Sequence, residues 1–285
     1  MTPKRTATPE EVAPEDIVWI NGFPTPPALP VRPWHAFLSV LRLVRNKEDT
    51  RQVFEVVSAL SGGSSTKLFS RFSASPYGRR VVSEPIKLEK VLGDREYLRT
   101  FPEASLARAY LEFMEGENLT PDGLIDAAEE AGIDFRGETQ FEEFRRLFLH
   151  LDVCHDLWHV LTGYGRDALG ELCNLVYTRH QTKNPGFKLI VGIGLLAIKA
   201  EKPFQPFQAA IAEAKSNAKQ SRWILEYDVE ELLMLPLADA RARLGITEPE
   251  IYNAIPMQVK ENLLKPKQTQ TQTQREQAHA VRKAA

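Results

Sequence analysis

Apolar residues recur at helical spacing through most of this chain. Phe37, Val40, Leu41 and Val44 form one stripe on the 3.6-residue period, and Val53, Val57 and Leu60 form another that Gly62-Gly63 stops. Further helical segments are expected over 64–73, 88–98 and 105–114. Thr120-Pro121 reads as an N-cap followed by proline in the first turn, opening a helix that closes near Gly132. Thr139-Gln140-Phe141-Glu142 reads as a capping box. From it one long helix is expected to run to Leu161, with Phe144, Phe148, Leu151 and Trp158 on its apolar surface. Gly163 and Gly165 then mark a turn, and a second helix is expected over 166–179, with Asn184-Pro185-Gly186 ending that segment. The apolar run Leu189–Ile198 follows, then helical text over 207–223 and a Pro-started, Gly-stopped helix within 235–246. Strand-like alternation is nearly absent and no internal repeat is visible. The expectation is an all-α protein: a compact multi-helix domain over 34–250, a Pro-rich mobile segment over 1–33 and a low-complexity tail over 265–285.

Composition narrows the classes without choosing one. With 43% hydrophobic and 26% charged residues in 285, the chain is ordinary for a globular protein with a sizeable core. A net charge of -2 gives no global attraction to nucleic acid. Cys154 and Cys173 are too few for a disulfide framework and are expected to be reduced, buried thiols, suiting a reducing cytoplasm. No signal peptide is visible at the N-terminus. The longest apolar run, Leu189–Ile198, is half the roughly 20 residues that a spanning helix needs, so contact with a membrane would be peripheral. Lys265, Lys267, Arg275, Arg282 and Lys283 make the tail locally basic, which fits a solvated tail or weak attraction to an anionic membrane.

One stretch carries chemistry: HDLWHVLTGYGRDALGE, residues 155–171. His155 and His159 are one helical turn apart on one face and can grip a single divalent metal. Asp156 sits at the edge of that face. Glu171 would lie roughly 18 Å along the axis if the helix ran straight, but the Gly163–Gly165 turn can fold it back beside the two histidines. Other readings exist. The zincin motif needs Glu where Asp156 stands, so it fails at the catalytic position. A phosphohydrolase built on a His-Asp dyad would need a further His and Asp; His35 and Asp228 are the nominees, with nothing local to support them.

The same stretch resembles the signature of the Coq-four family of ubiquinone (coenzyme Q) biosynthesis proteins. Upstream, GRRVVSEPIKL (78–88), FPEASLARAYLEFM (101–114) and the Thr120-Pro121-Asp122 start resemble successive family blocks; downstream, LPLADARARLGI (235–246) resembles the closing segment. The resemblance covers roughly residues 50 to 250.

The resemblance implies that His155, Asp156, His159 and Glu171 are metal ligands. The mixed nitrogen and oxygen set suits Zn first, with Fe or Mn as alternatives. It further implies a helical homodimer, peripheral on the inner, cytoplasmic face of a quinone-containing membrane, with an apolar lipid-binding cleft. The implied partners are a polyprenylated aromatic quinone precursor and the other ubiquinone-biosynthesis enzymes. The implied activity is oxidative decarboxylation of the aromatic head group; the alternative is a non-catalytic, lipid-binding scaffold. Arginines are expected five and three residues before His155, but His150 and Asp152 stand there, and Arg145 and Arg146 lie a turn earlier. Tyr164, in the turn, is a candidate proton donor or else a packed turn aromatic. Leu189–Ile198 is the candidate membrane contact or lipid-channel wall, with Ile190 and Leu195 facing the apolar side and Lys188, Lys199 and Lys202 at head-group level; the alternative is a buried helix.

Overall fold

The computed structural model describes residues 13–45, 49–84, 87–130, 132–201 and 206–263. The tail over 265–285, Lys202 and residues 1–12 lie outside the described residues. Regular structure among the described residues is almost entirely helical. In chain order the helices are α1 Pro33–Arg45, α2 Thr50–Ser61, α3 Ser64–Ala74, α4 Pro76–Ser83, α5 Leu88–Gly93 and α6 Arg95–Arg99. They continue with α7 Leu106–Gly116, α8 Asp122–Glu130, α9 Glu142–Val153, α10 His155–Thr162, α11 Ala168–Thr182 and α12 Pro185–Glu201. The last are α13 Phe207–Gln220, α14 Val229–Met234, α15 Leu237–Leu244, α16 Glu250–Ala254 and α17 Met257–Glu261.

Within the stretch expected to be mobile, Val18–Ile20 and Phe23–Thr25 form an antiparallel hairpin, β1 and β2. Its turn is Asn21-Gly22, both at positive φ, the geometry that two-residue hairpins favour. The hairpin is tied to the helices: the Asn21 side-chain Nδ2 donates to the Ser70 carbonyl at 2.7 Å and Phe23 meets Phe69 edge-on.

The long helix expected through the histidines is two helices. Cys154 separates α9 from α10, yet the hydrogen-bond ladder continues through it: its amide reaches the His150 carbonyl at 3.1 Å and its carbonyl takes the Trp158 amide at 3.0 Å. The expected capping box does not form. α9 starts at Glu142, whose carboxylate is drawn to Arg145 and Arg146 on the next turn rather than back to the Thr139 amide. Thr139 instead accepts from the Phe141 amide at 3.3 Å.

The core joins α7, α10 and α11 through fully buried Tyr110, Leu157, Leu161, Tyr164 and Tyr177. Helices α1, α2 and α12 pack together as one wall on the other side of an internal cavity. Both cysteines are free and buried, and burial pushes their thiols up, which keeps them unreactive. No helix among the described residues is long and apolar enough to cross a membrane.

Candidate metal centre

The helices that carry the candidate ligands are held by caps that the sequence specifies. α10 ends at Gly163, which takes the left-handed conformation at φ 76° and hands its amide to the His159 carbonyl at 2.9 Å. α11 starts on Asp167, whose carboxylate accepts from the amides of Leu169 and Gly170, both at 3.1 Å. The turn between them brings Glu171, in the first turn of α11, back onto α10.

His155, Asp156 and His159 present ligand atoms that all lie within 4.8 Å of one another. Glu171 joins them from α11: its Oε2 is 3.4 Å from His159 Nε2 and 4.0 Å from His155 Nε2. The structure thus brings all four sequence-predicted residues together. The imidazole of His159 is fully oriented. Its Nδ1 lies 2.8 Å from the Tyr164 carbonyl. A carbonyl only accepts, so Nδ1 is the donor there and Nε2 is the ring atom turned to Glu171. That Nε2 is buried with no hydrogen-bond partner and faces a carboxylate. The contact calls for positive charge, which a proton on Nε2 or a bound cation supplies. With two imidazoles and two carboxylates converging, the set fits a divalent metal ion, and the Nδ1–carbonyl bond is the outer-sphere support that metal-bound histidines use. Phe113 stacks on the His159 ring at 5.8 Å and fixes its plane.

The electrostatics agree. Burial would raise the Glu171 carboxyl, but the charges of His159, His155 and Arg166 outweigh it and hold the group at about 2, ionised at any working pH. Burial would lower His155; its hydrogen bond to Asp156 and the charges of Glu171, Asp156 and Asp152 raise it instead. Asp152 is pushed up to about 7 by burial, against the pull of His155 and with Asp156 adding to the rise.

The site opens into a cavity of about 660 Å³. Its apolar walls come from α2 (Val53, Phe54, Val57), α9 (Phe144, Phe148, Leu151), α11 (Leu172, Leu175) and α12 (Phe187, Ile190). At the metal end its lining turns polar, with Asp152, His155, Asp156, Arg166 and Glu171. Trp158 is buried and also meets the cavity.

Several expectations change. Tyr164 does not present its hydroxyl to the site: the ring is buried between Tyr177 and Tyr252, and only its carbonyl acts, on His159. Ile190 is buried and lines the cavity, and Leu195 is half-buried, so neither is a surface anchor. Lys188 is exposed and Lys199 half-buried. His150 is buried against Phe72 and Tyr77, and burial holds it down at about 4, so it brings no positive charge to the place of an expected arginine. Arg145 and Arg146 turn away, the first to the Gly137 carbonyl and the second to Val82. His35 pairs with Glu55 at 2.7 Å and Asp228 with Arg80, so the phosphohydrolase reading finds no further ligands.

Three residues that sequence reasoning passed over complete the site. Arg166 reaches the cavity with its guanidinium 3.9 Å from Glu171 and 3.8 Å from Glu117. Arg241 on α15 caps the open end of α10, donating from Nε to the Leu161 carbonyl at 2.9 Å and from Nη2 to Val160 at 3.0 Å. The Tyr252 hydroxyl donates to Asp167 and accepts the Gly165 amide at 2.9 Å, locking the turn. Arg241→Ala strips two charge-assisted bonds from the Val160 and Leu161 carbonyls at the end of α10. The expected cost is about 2 kcal/mol, read as a lowered urea midpoint, with only a modest change in metal affinity because the ligands themselves remain. An unchanged midpoint would show the cap to be dispensable.

A family model described as "Coenzyme Q (ubiquinone) biosynthesis protein Coq4" matches residues 35–250. The chain is 27% identical over 187 residues to the mitochondrial ubiquinone biosynthesis protein COQ4 homolog of Bos taurus, covering 65% of this chain and 66% of that protein. It is 24% identical over 229 residues to the mitochondrial ubiquinone biosynthesis protein coq4 of Talaromyces marneffei, covering 76% and 74%. The chain spans just under two thirds of the length of the bovine relative. A crystal structure of a ubiquinone-biosynthesis candidate from Nostoc punctiforme superposes with a TM-score of 0.54 at 16% identity, over 77% of this chain and 100% of that one, a likeness of fold.

Proposed function

The chain belongs to the Coq4 family of coenzyme Q (ubiquinone) biosynthesis proteins, and from that premise we propose that it is a metal-dependent oxidative decarboxylase of a polyprenylated aromatic acid. The observation that carries the reading is the partnerless Nε2 of His159 facing Glu171 at the polar end of an apolar cavity. The apolar walls take the isoprenoid tail and the polar end takes the aromatic head group. His155, Asp156, His159 and Glu171 hold a divalent ion, Zn first, with Fe or Mn as alternatives. Once bound, the ion supplies positive charge for a substrate oxygen as the ring carbon–carbon bond breaks.

The other residues bind, orient and exclude water. Arg166 makes only loose contacts to its two glutamates, so its guanidinium is free to take the ring carboxylate, doing what the two expected arginines would have done. The apolar walls keep bulk water from the head group, which strengthens every charge at the polar end. The carboxylate leaves as carbon dioxide and a hydroxyl whose oxygen comes from water replaces it on the same carbon, a net two-electron oxidation in which dioxygen takes both electrons and two protons and leaves as hydrogen peroxide. As proposed, the protein acts as a homodimer on the inner face of a quinone-containing membrane, beside the other enzymes of the pathway.

The test is complementation of quinone-deficient cells by Glu171→Gln, with metal content measured on the purified variant. This near-isosteric change removes one ligand charge. The expected result is a folded, metal-poor protein that fails to restore quinone synthesis. Restoration by a folded, metal-free variant would instead establish a lipid-binding scaffold.

A further inference from the structure

The apolar residues of α1 do not all face the core. Ala36, Ser39 and Val40 are buried, and Leu43 and Val44 line the cavity. Trp34, Phe37, Leu38 and Leu41, on the i, i+3, i+4, i+7 spacing of a helix face, are exposed, Trp34 at 72%. Trp34 and Phe37 stack on each other at 5.6 Å. The segment leading into the helix adds Leu29 and Val31, each more than half exposed. Six large apolar side chains within thirteen residues are more than scattered surface exposure explains. Leu29 both lines the cavity and is 53% exposed, so the cavity reaches the surface at this patch.

The charge pattern says what covers the patch. Between Asp16 and Glu48 the sequence holds no acidic residue, while Arg32, Arg42 and Arg45 flank the stripe. Glu55, from the packed α2, is taken up by His35 at 2.7 Å and Arg51 at 3.8 Å. A second copy docked through the same patch would set like-charged arginines across the two-fold with no carboxylate from this segment to meet them. An anionic bilayer meets both features: aromatic and aliphatic side chains enter the acyl boundary while arginines stay at the phosphates.

We propose that this face of α1, with Leu29 and Val31, docks into the headgroup layer of an anionic phospholipid bilayer and that the cavity opens onto it, so that a lipid-tailed substrate enters without crossing water. The inference deepens the function proposed above and rests on the cavity taking a lipid tail. It places the membrane contact on α1 rather than on the Leu189–Ile198 run, where Ile190 and Gly194 line the cavity and Leu196 is a single exposed leucine.

The experiment is co-sedimentation of the full chain with vesicles of phosphatidylcholine and phosphatidylglycerol. The comparison is Phe37→Glu/Leu41→Glu against Met257→Glu, an exposed apolar control on α17. The expected result is salt-sensitive binding by the parent and the control, weakened at least roughly tenfold in the double variant at unchanged melting temperature. A folded double variant that binds like the parent overturns the proposal. So does a parent that ignores vesicles and is a dimer which the double variant breaks into monomers, since a second copy would then cover the face. Should the double variant fail to fold, quenching of Trp34 fluorescence by brominated lipid, lost in Trp34→Phe, decides instead; no quenching overturns it. His155→Ala/His159→Ala should bind vesicles as the parent does. Lost turnover with vesicle binding intact therefore reports on the metal site, and lost binding with the metal retained reports on the docking face.

Discussion

His159→Ala is expected to abolish stoichiometric metal binding while costing the metal-free fold roughly 2 kcal/mol, about the cost of the cavity it leaves. The first half follows from orientation. Only Nε2 of this ring is available, and the Tyr164 carbonyl and Phe113 aim it at the point where Glu171 and His155 converge. Loss of a supporting partner of a metal-bound histidine typically costs 10- to 100-fold in affinity; loss of the ligand itself should cost more. The second half is a balance. The substitution removes one hydrogen bond to Tyr164, worth about 1 kcal/mol, and leaves a cavity where the ring stood. It also removes a buried, partnerless nitrogen whose desolvation costs about as much as a hydrogen bond contributes. Metal that binds only the folded state stabilises it in proportion to the logarithm of its concentration over its dissociation constant. The parent should therefore melt higher with added zinc than with chelator, and the variant should melt at one temperature in both. A variant whose melting temperature zinc raises as far as it raises the parent's would sink the four-ligand site.

The features legible in the sequence were those written in local spacing. The four-residue separation of His155 and His159 and the glycines that fold Glu171 back are consequences of helix geometry within seventeen residues, and the structure assembles them as expected. The helices ended by Gly62, Gly163 and Gly245 were legible for the same reason. The hairpin signal was present but unread: Asn21-Gly22 between Trp19-Ile20 and Phe23 is a two-residue turn hidden in Pro-rich text. Tertiary competition decided the rest. Glu142 had two arginines on the next turn competing for its carboxylate, so the capping box lost. The cavity joins α1, α2 and α12 to α9 and α11, elements far apart in the chain. Arg241 and Tyr252 act on the ligand turn from eighty or more residues away, a relation that no local pattern encodes. Periodicity alone also misread α1, since Phe37 and Leu41 belong to its outer face.

Gly170→Ala separates propensity from packing more sharply than any other single change here. In a helix, glycine is worse than alanine by up to about 1 kcal/mol, so local preference predicts a more stable protein. Packing predicts the reverse. A β-carbon on Gly170 would lie 2.1 Å from the Gly165 carbonyl oxygen and 2.9 Å from the Gly165 nitrogen. Those atoms are backbone and cannot rotate away. Nor is the turn free to move: Gly165 is held by the Tyr252 hydroxyl, and Asp167 is tied both to Tyr252 and to the Gly170 amide. The start of α11 must shift, and Glu171, the next residue, shifts with it. Overpacking of this kind costs roughly 1–3 kcal/mol where side chains can yield, and more against fixed backbone, which outweighs the propensity gain. The expected outcome is a destabilised protein that has also lost most of its metal affinity. Gly192→Ala, inside α12 with nothing within 4 Å of where a β-carbon would stand, is the matched control and should be neutral or slightly stabilising. Urea unfolding of both variants, with zinc binding measured on each, tests this. If Gly170→Ala unfolds at the same urea concentration as Gly192→Ala and holds zinc as tightly, then the close approach of α11 to the turn is not what positions Glu171.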